Sequence, residues 1–484
     1  MKIRFWSSTE YSGFLAGLMR ELNTQGFEAK QCYQISEASY RSAKSSPARL
    51  FLRFRQYAIY PVQLCFALLW QRIAGVIRPS ASDTASPSGS EGVGMRKLNA
   101  EGGNSEKKGS SESDSGLRPP ASVLCKDVCV VSTNTFYAPL LATYLHPNVV
   151  HLVYDLFPEA MIHSGKWTEG TLKVKIVRWI TKQTLKRAKT NVFLGERLKD
   201  YVESIHGPVA NAAIIAVGAD QALFGRSPKE RLMCEGMNVT ECESKDSSDL
   251  NTFSPSHSSR DSSPTILYCG NFGNMHDSET LFDYWRQLSR SDVLQPSSSG
   301  TGATMETTAE PAESLSFSET FPPSHFPTFN FCCSGPKRLA LESERAQLPA
   351  ALQQQIQLGG GLDQQAWITT MESADVALVT MVPGSETVVM PSKTYSAMMA
   401  GQAILAIAPE DSDLVDLIKA ADCGWFVEPG DVAGLAAAID AISADPEGLL
   451  EKRERAYQYA HAHLGQDALA KEWEVALRGT VAPS

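Results

Sequence analysis

Nine short, almost wholly apolar runs, set apart by longer amphipathic stretches, limit most strongly how this chain can fold. They are Lys2–Trp6, Asp127–Ser132, Val149–Tyr154, Asn191–Leu194, Ala213–Val217, Thr265–Tyr268, Asn330–Ser334, Val376–Val379 and Ala403–Ile407. A strand without polar alternation must be buried on both faces, as in a parallel sheet covered by helices. Phe14–Gln25, Leu172–Arg187, Glu279–Leu288 and Leu414–Ala420 carry helical patterns between the runs. Alternating strand and helix predicts an α/β fold of doubly wound parallel sheets. The alternation runs once before Ser227 and begins again after Ser263. Two Rossmann-like domains are therefore expected, and 484 residues exceed what one hydrophobic core usually serves.

Three segments break the pattern. Pro79–Ser122, Ser227–Ser263 and Pro296–Pro327 are rich in small and polar residues and poor in large apolar ones. Such composition cannot bury enough apolar surface to offset chain entropy, so disordered insertions are expected there. The triplet Asn238-Val239-Thr240 lies in the second. The expected organisation is a first domain over residues 1–225, a linker over 226–263 and a second domain over 264–455. A C-terminal helix over 456–484 is expected to pack back on the first domain.

Composition excludes some classes. A formal net charge of −10 argues against a general nucleic-acid binder. The ten cysteines, among them Cys125, Cys129, Cys332 and Cys333, lack the paired spacing of a zinc site or disulfide framework and read as small core residues. After Met1–Trp6 the sequence turns polar at Ser7, without the apolar core of a signal peptide, so a cytoplasmic location is expected. Residues 50–78 stand apart. Arg53, Arg55, Arg72 and Arg78 flank an apolar run from Tyr57 to Trp70 that is shorter than the ~20 residues a membrane span needs. Two readings fit: a helix lying in an anionic membrane surface, or a core helix pair kinked at Pro61.

The second half carries the chemistry. Thr265–Tyr268 leads into Cys269-Gly270-Asn271-Phe272-Gly273-Asn274-Met275-His276, a glycine-containing turn that lets backbone amides approach a phosphate or sugar. Further on, Pro391-Ser392-Lys393 opens a helical stretch that ends near Gly401. Pro and Ser suit a helix start, where free amides beside a lysine can receive a diphosphate. A well-capped structural helix with a surface lysine fits the same residues.

Pro391-Ser392-Lys393, followed by Met398, Gly401, an apolar strand and Pro409, resembles the donor-site motif of family 4 glycosyltransferases. Val217-Gly218-Ala219-Asp220 with Phe224, Gly270–Gly273, Gly424–Asp431 and Asp155-Leu156-Phe157-Pro158-Glu159 resemble further elements of that family, in the same order. The resemblance implies the GT-B architecture, two Rossmann-like domains facing a cleft. It also implies transfer, with retention, of a sugar from a nucleotide-diphosphate donor to an acceptor hydroxyl, without a metal. The acceptor side is then the first domain, and a surface-glycan or lipid-linked acceptor at the inner membrane face is expected. Lys393 and the amides around Pro391 and Ser392 would meet the diphosphate, with Gly270, Asn271, Phe272, Gly273 and His276 beside them. Glu386 would bind donor hydroxyls, Asp155 would face the cleft, and Tyr11-Ser12-Gly13 would line the acceptor side. Asp155 also reads as a helix N-cap.

The sequence departs from that pattern in two places. The family's paired glutamates are matched by Val388 and Ser396, and its Arg and Lys by Asn271 and His276. A nucleotide-sugar epimerase and an inactive nucleotide-sugar-binding relative stay open as alternatives. A nicotinamide-dependent dehydrogenase does not fit, because no Gly-x-Gly-x-x-Gly follows a strand.

Overall fold

The structure, a computed structural model, describes residues 1–9, 14–36, 39, 46–77, 127–235, 263–290 and 326–481. The Tyr11-Ser12-Gly13 loop, Cys125, Asn238–Thr240 and nearly all of the three low-complexity segments lie outside the described residues.

The first half runs β1 (Lys2–Thr9), α1 (Phe14–Thr24), β2 (Glu28–Ile35), α2 (Ser46–Phe54), a π-helical turn (Arg55–Ile59), α3 (Tyr60–Ile77), β3 (Val128–Ser132), α4 (Ala138–Leu145), β4 (Val149–Val153), α5 (Glu159–His163), α6 (Leu172–Arg187), β5 (Thr190–Phe193), α7 (Glu196–His206), β6 (Ala212–Ile214) and α8 (Pro228–Glu235). The second half runs β7 (Thr265–Asn271), α9 (Glu279–Arg290), β8 (Thr328–Ser334), α10 (Arg338–Gln347), α11 (Ala350–Gln355), β9 (Ile356–Gly359), α12 (Gln364–Ser373), β10 (Val376–Thr380), α13 (Lys393–Met399), β11 (Ala403–Ile407), α14 (Asp413–Ala421), β12 (Gly424–Val427), α15 (Val432–Ala444), α16 (Pro446–His463) and α17 (Gln466–Val481).

These strands form two six-stranded sheets, ordered β2-β1-β3-β4-β5-β6 and β12-β11-β10-β7-β8-β9. Every pairing is parallel. β3, β4, β10 and β11 are buried at every residue, which is why they read as continuous apolar runs. Three strands have no such run: β2, β9 and β12. All three are sheet edges, where one side needs no cover and polar residues are tolerated.

Two expectations change. The expected linker begins with a helix: Ser227 Oγ accepts from the Glu230 amide at 3.3 Å, and Glu230 Oε2 accepts from the Ser227 amide at 2.7 Å. This reciprocal cap starts α8, and Arg231 ties it down by donating to the Ala400 carbonyl at 2.8 Å. In the 50–78 segment one continuous helix passes through a π-helical turn just before Pro61, and the Gln56 and Tyr57 carbonyls upstream of that proline accept from the Thr135 and Tyr137 hydroxyls. Tyr60, Leu64 and Leu68 pack with Trp6, Val131 and Ala138, whereas Val62, Phe66 and Trp70 stay exposed. The helix is core on one side, and its other apolar side faces water.

The halves are joined at the C-terminus. α16 packs on α13 of the second sheet, and the chain breaks from helix at Leu464. α17 then crosses to the first sheet, where Leu469, Trp473 and Leu477 join the core containing Ile3, Phe5 and Leu18. Trp473 meets Phe5 edge-on at 5.7 Å, and Thr480 and Thr190 hydroxyls hydrogen bond at 2.8 Å. Trp473→Ala is expected to cost about 3–5 kcal/mol in urea denaturation, the range for emptying a buried tryptophan site. A change below about 1 kcal/mol would show that α17 docks without its anchor.

Candidate active site

In the second sheet the strand order reverses between β7 and β10. Neighbouring strands at such a reversal send their connections to opposite faces, which leaves a crevice beyond their carboxyl ends. The Gly270–His276 loop leaves β7 there, and the Met381–Ser392 loop leaves β10. The two loops are bonded together. His276 Nδ1 is 2.9 Å from the Thr380 carbonyl, and the Val382 amide donates to the Met275 carbonyl at 3.0 Å.

Lys393 closes the cluster from the start of α13. Its Nζ donates to Tyr268 Oη at 2.6 Å and to the Asn271 carbonyl at 2.9 Å, and stands 3.5 Å from His276 Nε2. Tyr268 Oη in turn donates a hydrogen bond to the same Asn271 carbonyl at 2.8 Å. Gly270 makes the approach possible, because its φ is +129° and a Cβ there would stand 2.8 Å from Lys393 Cε. Since the Thr380 carbonyl can only accept, His276 carries its proton on Nδ1 and turns a lone pair on Nε2 towards the lysine.

The electrostatics follow from burial. Desolvation lowers the Lys393 pKa to about 8, so the ammonium is poorly solvated and still mostly charged near neutral pH. Desolvation, with Lys393 beside it, lowers His276 to about 4. His276 is thus a neutral imidazole that positions the lysine and adds no charge of its own. A second cation arrives from another strand: Lys337 Nζ donates to the His276 carbonyl at 2.6 Å and to Ser278 Oγ at 3.2 Å. Lys337 and Tyr268 escaped the sequence reading. The turn Ser334-Gly335-Pro336-Lys337 after β8 was the available signal, a second glycine turn with a lysine at a strand end.

The other expected residues divide between the cluster and its surroundings. Phe272 is buried with its ring tilted against Tyr268 at 4.8 Å between centroids, so it packs the loop onto the core. Gly273 accepts the His276 amide at 3.2 Å, and Asn271 has its side chain at the surface. Pro391 is buried and its carbonyl accepts the Thr394 amide at 3.0 Å. Ser392 is exposed at the head of α13 and makes no side-chain cap, contrary to its expected capping role, because its backbone is already helical (φ −57°, ψ −18°). Ser396 is half-buried one turn further along.

The β10 loop reaches the first domain. Gly384, with φ +85°, lies where an added Cβ would be 3.5 Å from the His163 ring on α5. Val388 is fully buried in the core cluster that holds Leu156 and Ile215. A carboxylate at that position would have to be desolvated among apolar side chains. Glu386, on the same loop, has a buried Oε2 with no hydrogen-bond partner.

On the first domain, Asp155 lies two residues beyond the end of β4. The Thr133 hydroxyl oxygen accepts from the Tyr154 and Asp155 amides at 3.1 Å each, which fixes this turn. Asp155 does not cap α5, since Pro158 holds that place. Its side chain is open to solvent, yet the protein around it raises its pKa through desolvation, a combination expected of a group inside a cleft. Neighbouring Tyr154 lies close enough to Tyr395 on α13 for the two phenols to interact electrostatically.

No family model matches the chain. In sequence it is similar to a probable glycosyltransferase, WbjE of Pseudomonas aeruginosa, with 22% identity over 305 residues. The match covers 63% of this chain and 62% of that relative, so it spans less than two thirds of the curated protein. In structure the chain is similar to Anabaena HepE, solved in complex with UDP, at TM-score 0.55 and 11% identity over 99% and 100% of the two chains. It is also similar to a sucrose-phosphate synthase from Thermosynechococcus elongatus (TM-score 0.55, 13% identity, 99% and 98% covered). WaaG, a glycosyltransferase involved in lipopolysaccharide biosynthesis, aligns at TM-score 0.53 and 11% identity, with 98% of each chain covered. The fold is the two-domain α/β architecture of these GT-B proteins.

The lysine gives this site a titration that can be measured. An unfolded lysine near 10.5 binds its proton more tightly than Lys393 at about 8, so the unfolded chain holds more protons between those values. The Lys393 contribution to stability therefore rises with pH from about 8 to 10.5. Denaturation of wild type minus that of Lys393→Met, both carrying Cys269→Ala and Cys333→Ala to remove the thiols coupled to the lysine, should show this rise. A difference that is flat with pH would mean that Lys393 titrates normally.

Proposed function

We propose that the chain is a glycosyltransferase that moves a sugar from a nucleotide-diphosphate donor to an acceptor hydroxyl. The observation that carries the reading is Lys393, a desolvated ammonium at the strand-order reversal, held by the end of β7 and the loop that leaves it. A leaving diphosphate gathers negative charge as the anomeric carbon–oxygen bond breaks, and a poorly solvated cation aimed at it stabilises that state most. Lys337 lies close behind as a second positive group. The sequence similarity to a probable glycosyltransferase supports the same reading.

In this proposal the diphosphate lies over Gly270–Gly273 and the exposed Ser392, with the nucleoside towards Ser396. Glu386, whose inner oxygen lacks a partner, accepts from donor sugar hydroxyls. Asp155, with its raised pKa, faces the acceptor and orients its hydroxyl, whose proton passes to the departing diphosphate oxygen on the same face of the sugar as the new glycosidic bond forms. Charge on the diphosphate is met by lysine and backbone amides rather than by a metal ion. The transfer proceeds with retention, to a lipid-linked or surface-glycan acceptor at the cytoplasmic side of a membrane.

Incubation with a panel of nucleotide sugars and membrane extract tests the reading through nucleotide diphosphate release and label transfer. Release should depend on extract and fall by about 10²–10³ in Lys393→Ala, the usual loss for a group that stabilises transition-state charge. Donor isomerisation without acceptor would replace the proposal with an epimerase, and binding without turnover would replace it with an inactive module. Proton NMR of the product anomer decides retention.

UDP binding supplies a second check. A diphosphate beside Lys393 draws its pKa back up from about 8, so binding above that value takes up a proton. Affinity should weaken between about pH 7 and pH 9, and Lys393→Met should lose this dependence. An unchanged wild-type affinity over that range would place the diphosphate elsewhere.

A further inference from the structure

Sixteen large hydrophobic side chains are exposed among the described residues, and thirteen of them lie on α2 with its π turn, α3, α4 and α6. These elements adjoin one another: α3 packs on α4, and α4 packs on α6. On α3 the outward residues Val62, Phe66 and Leu69 fall at helical spacing, with Phe66 70% exposed. On α6, Leu172, Ile176 and Trp179 repeat that spacing, with Leu172 73% exposed. Tyr144 of α4, the helix between them, is exposed as well, and the Arg187 guanidinium of α6 lies 3.9 Å over its ring. An apolar surface of this extent marks an interaction site.

The helices of this face carry charge of one sign, and the neighbouring Glu169 carboxylate is taken up by Arg178 of α6. Residues 46–77 and 172–187 contain no Asp or Glu, although the whole chain has a net charge of −10. The same stretches carry Arg49 and Arg53, and on α6 Lys173, Lys175, Lys182 and Lys186. Aromatic and aliphatic groups ringed by cations suit the boundary of an anionic bilayer, where rings enter the headgroup layer and ammonium groups reach lipid phosphates. A second copy of the chain fits poorly, since a symmetric contact would set these cations against each other. Residues 79–122, which follow α3 in sequence, hold too few large apolar residues to cover the face.

We propose that α3, α4 and α6 together form one docking surface for a membrane containing anionic lipid, with α6 an equal partner to the Arg-flanked segment. This goes beyond the transfer reading and stands or falls separately from it, because none of these residues belongs to the donor cluster.

Co-sedimentation of the full-length protein with phosphatidylcholine vesicles, with and without phosphatidylglycerol, tests it. Binding should require phosphatidylglycerol and weaken with salt. Phe66→Glu/Trp70→Glu and Ile176→Glu/Trp179→Glu should each abolish it, and Lys175→Ala and Lys182→Ala should each weaken it about fivefold. Thermal melts check that the glutamate variants fold, and the lysine variants decide the matter should those melt early. Equal binding to neutral vesicles would overturn the proposal, as would α6 variants that bind like wild type. A dimer lost in Phe66→Glu, with no vesicle binding, would show instead that a second copy covers the face.

Discussion

Strand order in the second sheet reverses at β7, and the candidate site depends on that reversal. Had β7 and β10 been joined by a helix crossing their carboxyl ends, the space beyond them would be filled by the connection. The loops from β7 and β10 meet there instead, and the His276–Thr380 bond stitches them together. Lys393 then comes to rest on the β7 strand end. All of its near polar contacts belong to that one loop and strand, so the ammonium is oriented without being neutralised by a carboxylate. A charge held by neutral dipoles keeps its attraction for an incoming anion, whereas an ion pair would have spent it.

The same economy governs how the two halves meet. Val388 is buried in the first domain's core, and Gly384 of the same loop approaches His163, so the β10 loop serves at once as wall of the site and as interdomain contact. α17 adds an anchor from the far end of the chain through Trp473 and Phe5. Asp155, beyond the end of β4, is solvent-accessible yet enclosed enough for its pKa to rise. The burial of Val388 gives a physical reason for the absence of a glutamate there, because that position now packs the domains together.

Much of the fold is legible in the sequence, and the strands that are not share one property. Buried central strands such as β4 and β11 announce themselves by unbroken apolar runs. The edge strands β2, β9 and β12 do not, since they need to bury less. Helix α8 was hidden for a different reason: its stability comes from the Ser227–Glu230 cap and from Arg231 bonding to Ala400, across 169 residues of chain. Local composition registered only the polar segment beyond it. The outward apolar stripe of α6 was hidden as well, because a helical period cannot say which face meets the core.

The sequence by itself determined which segments become parallel strands, that two such sheets form, and which loops leave their carboxyl ends. These are local properties of apolar content and period, available to any reader of the chain. Only the tertiary structure decided what those loops do. Lys393 meets Tyr268 across 125 residues, and the desolvation at that buried position moves the lysine pKa to about 8. The neutrality of His276, the enclosure of Asp155 and the burial of Val388 arise in the same way. Each depends on which distant groups share a low-dielectric space, and that sharing exists only once the sheets have packed.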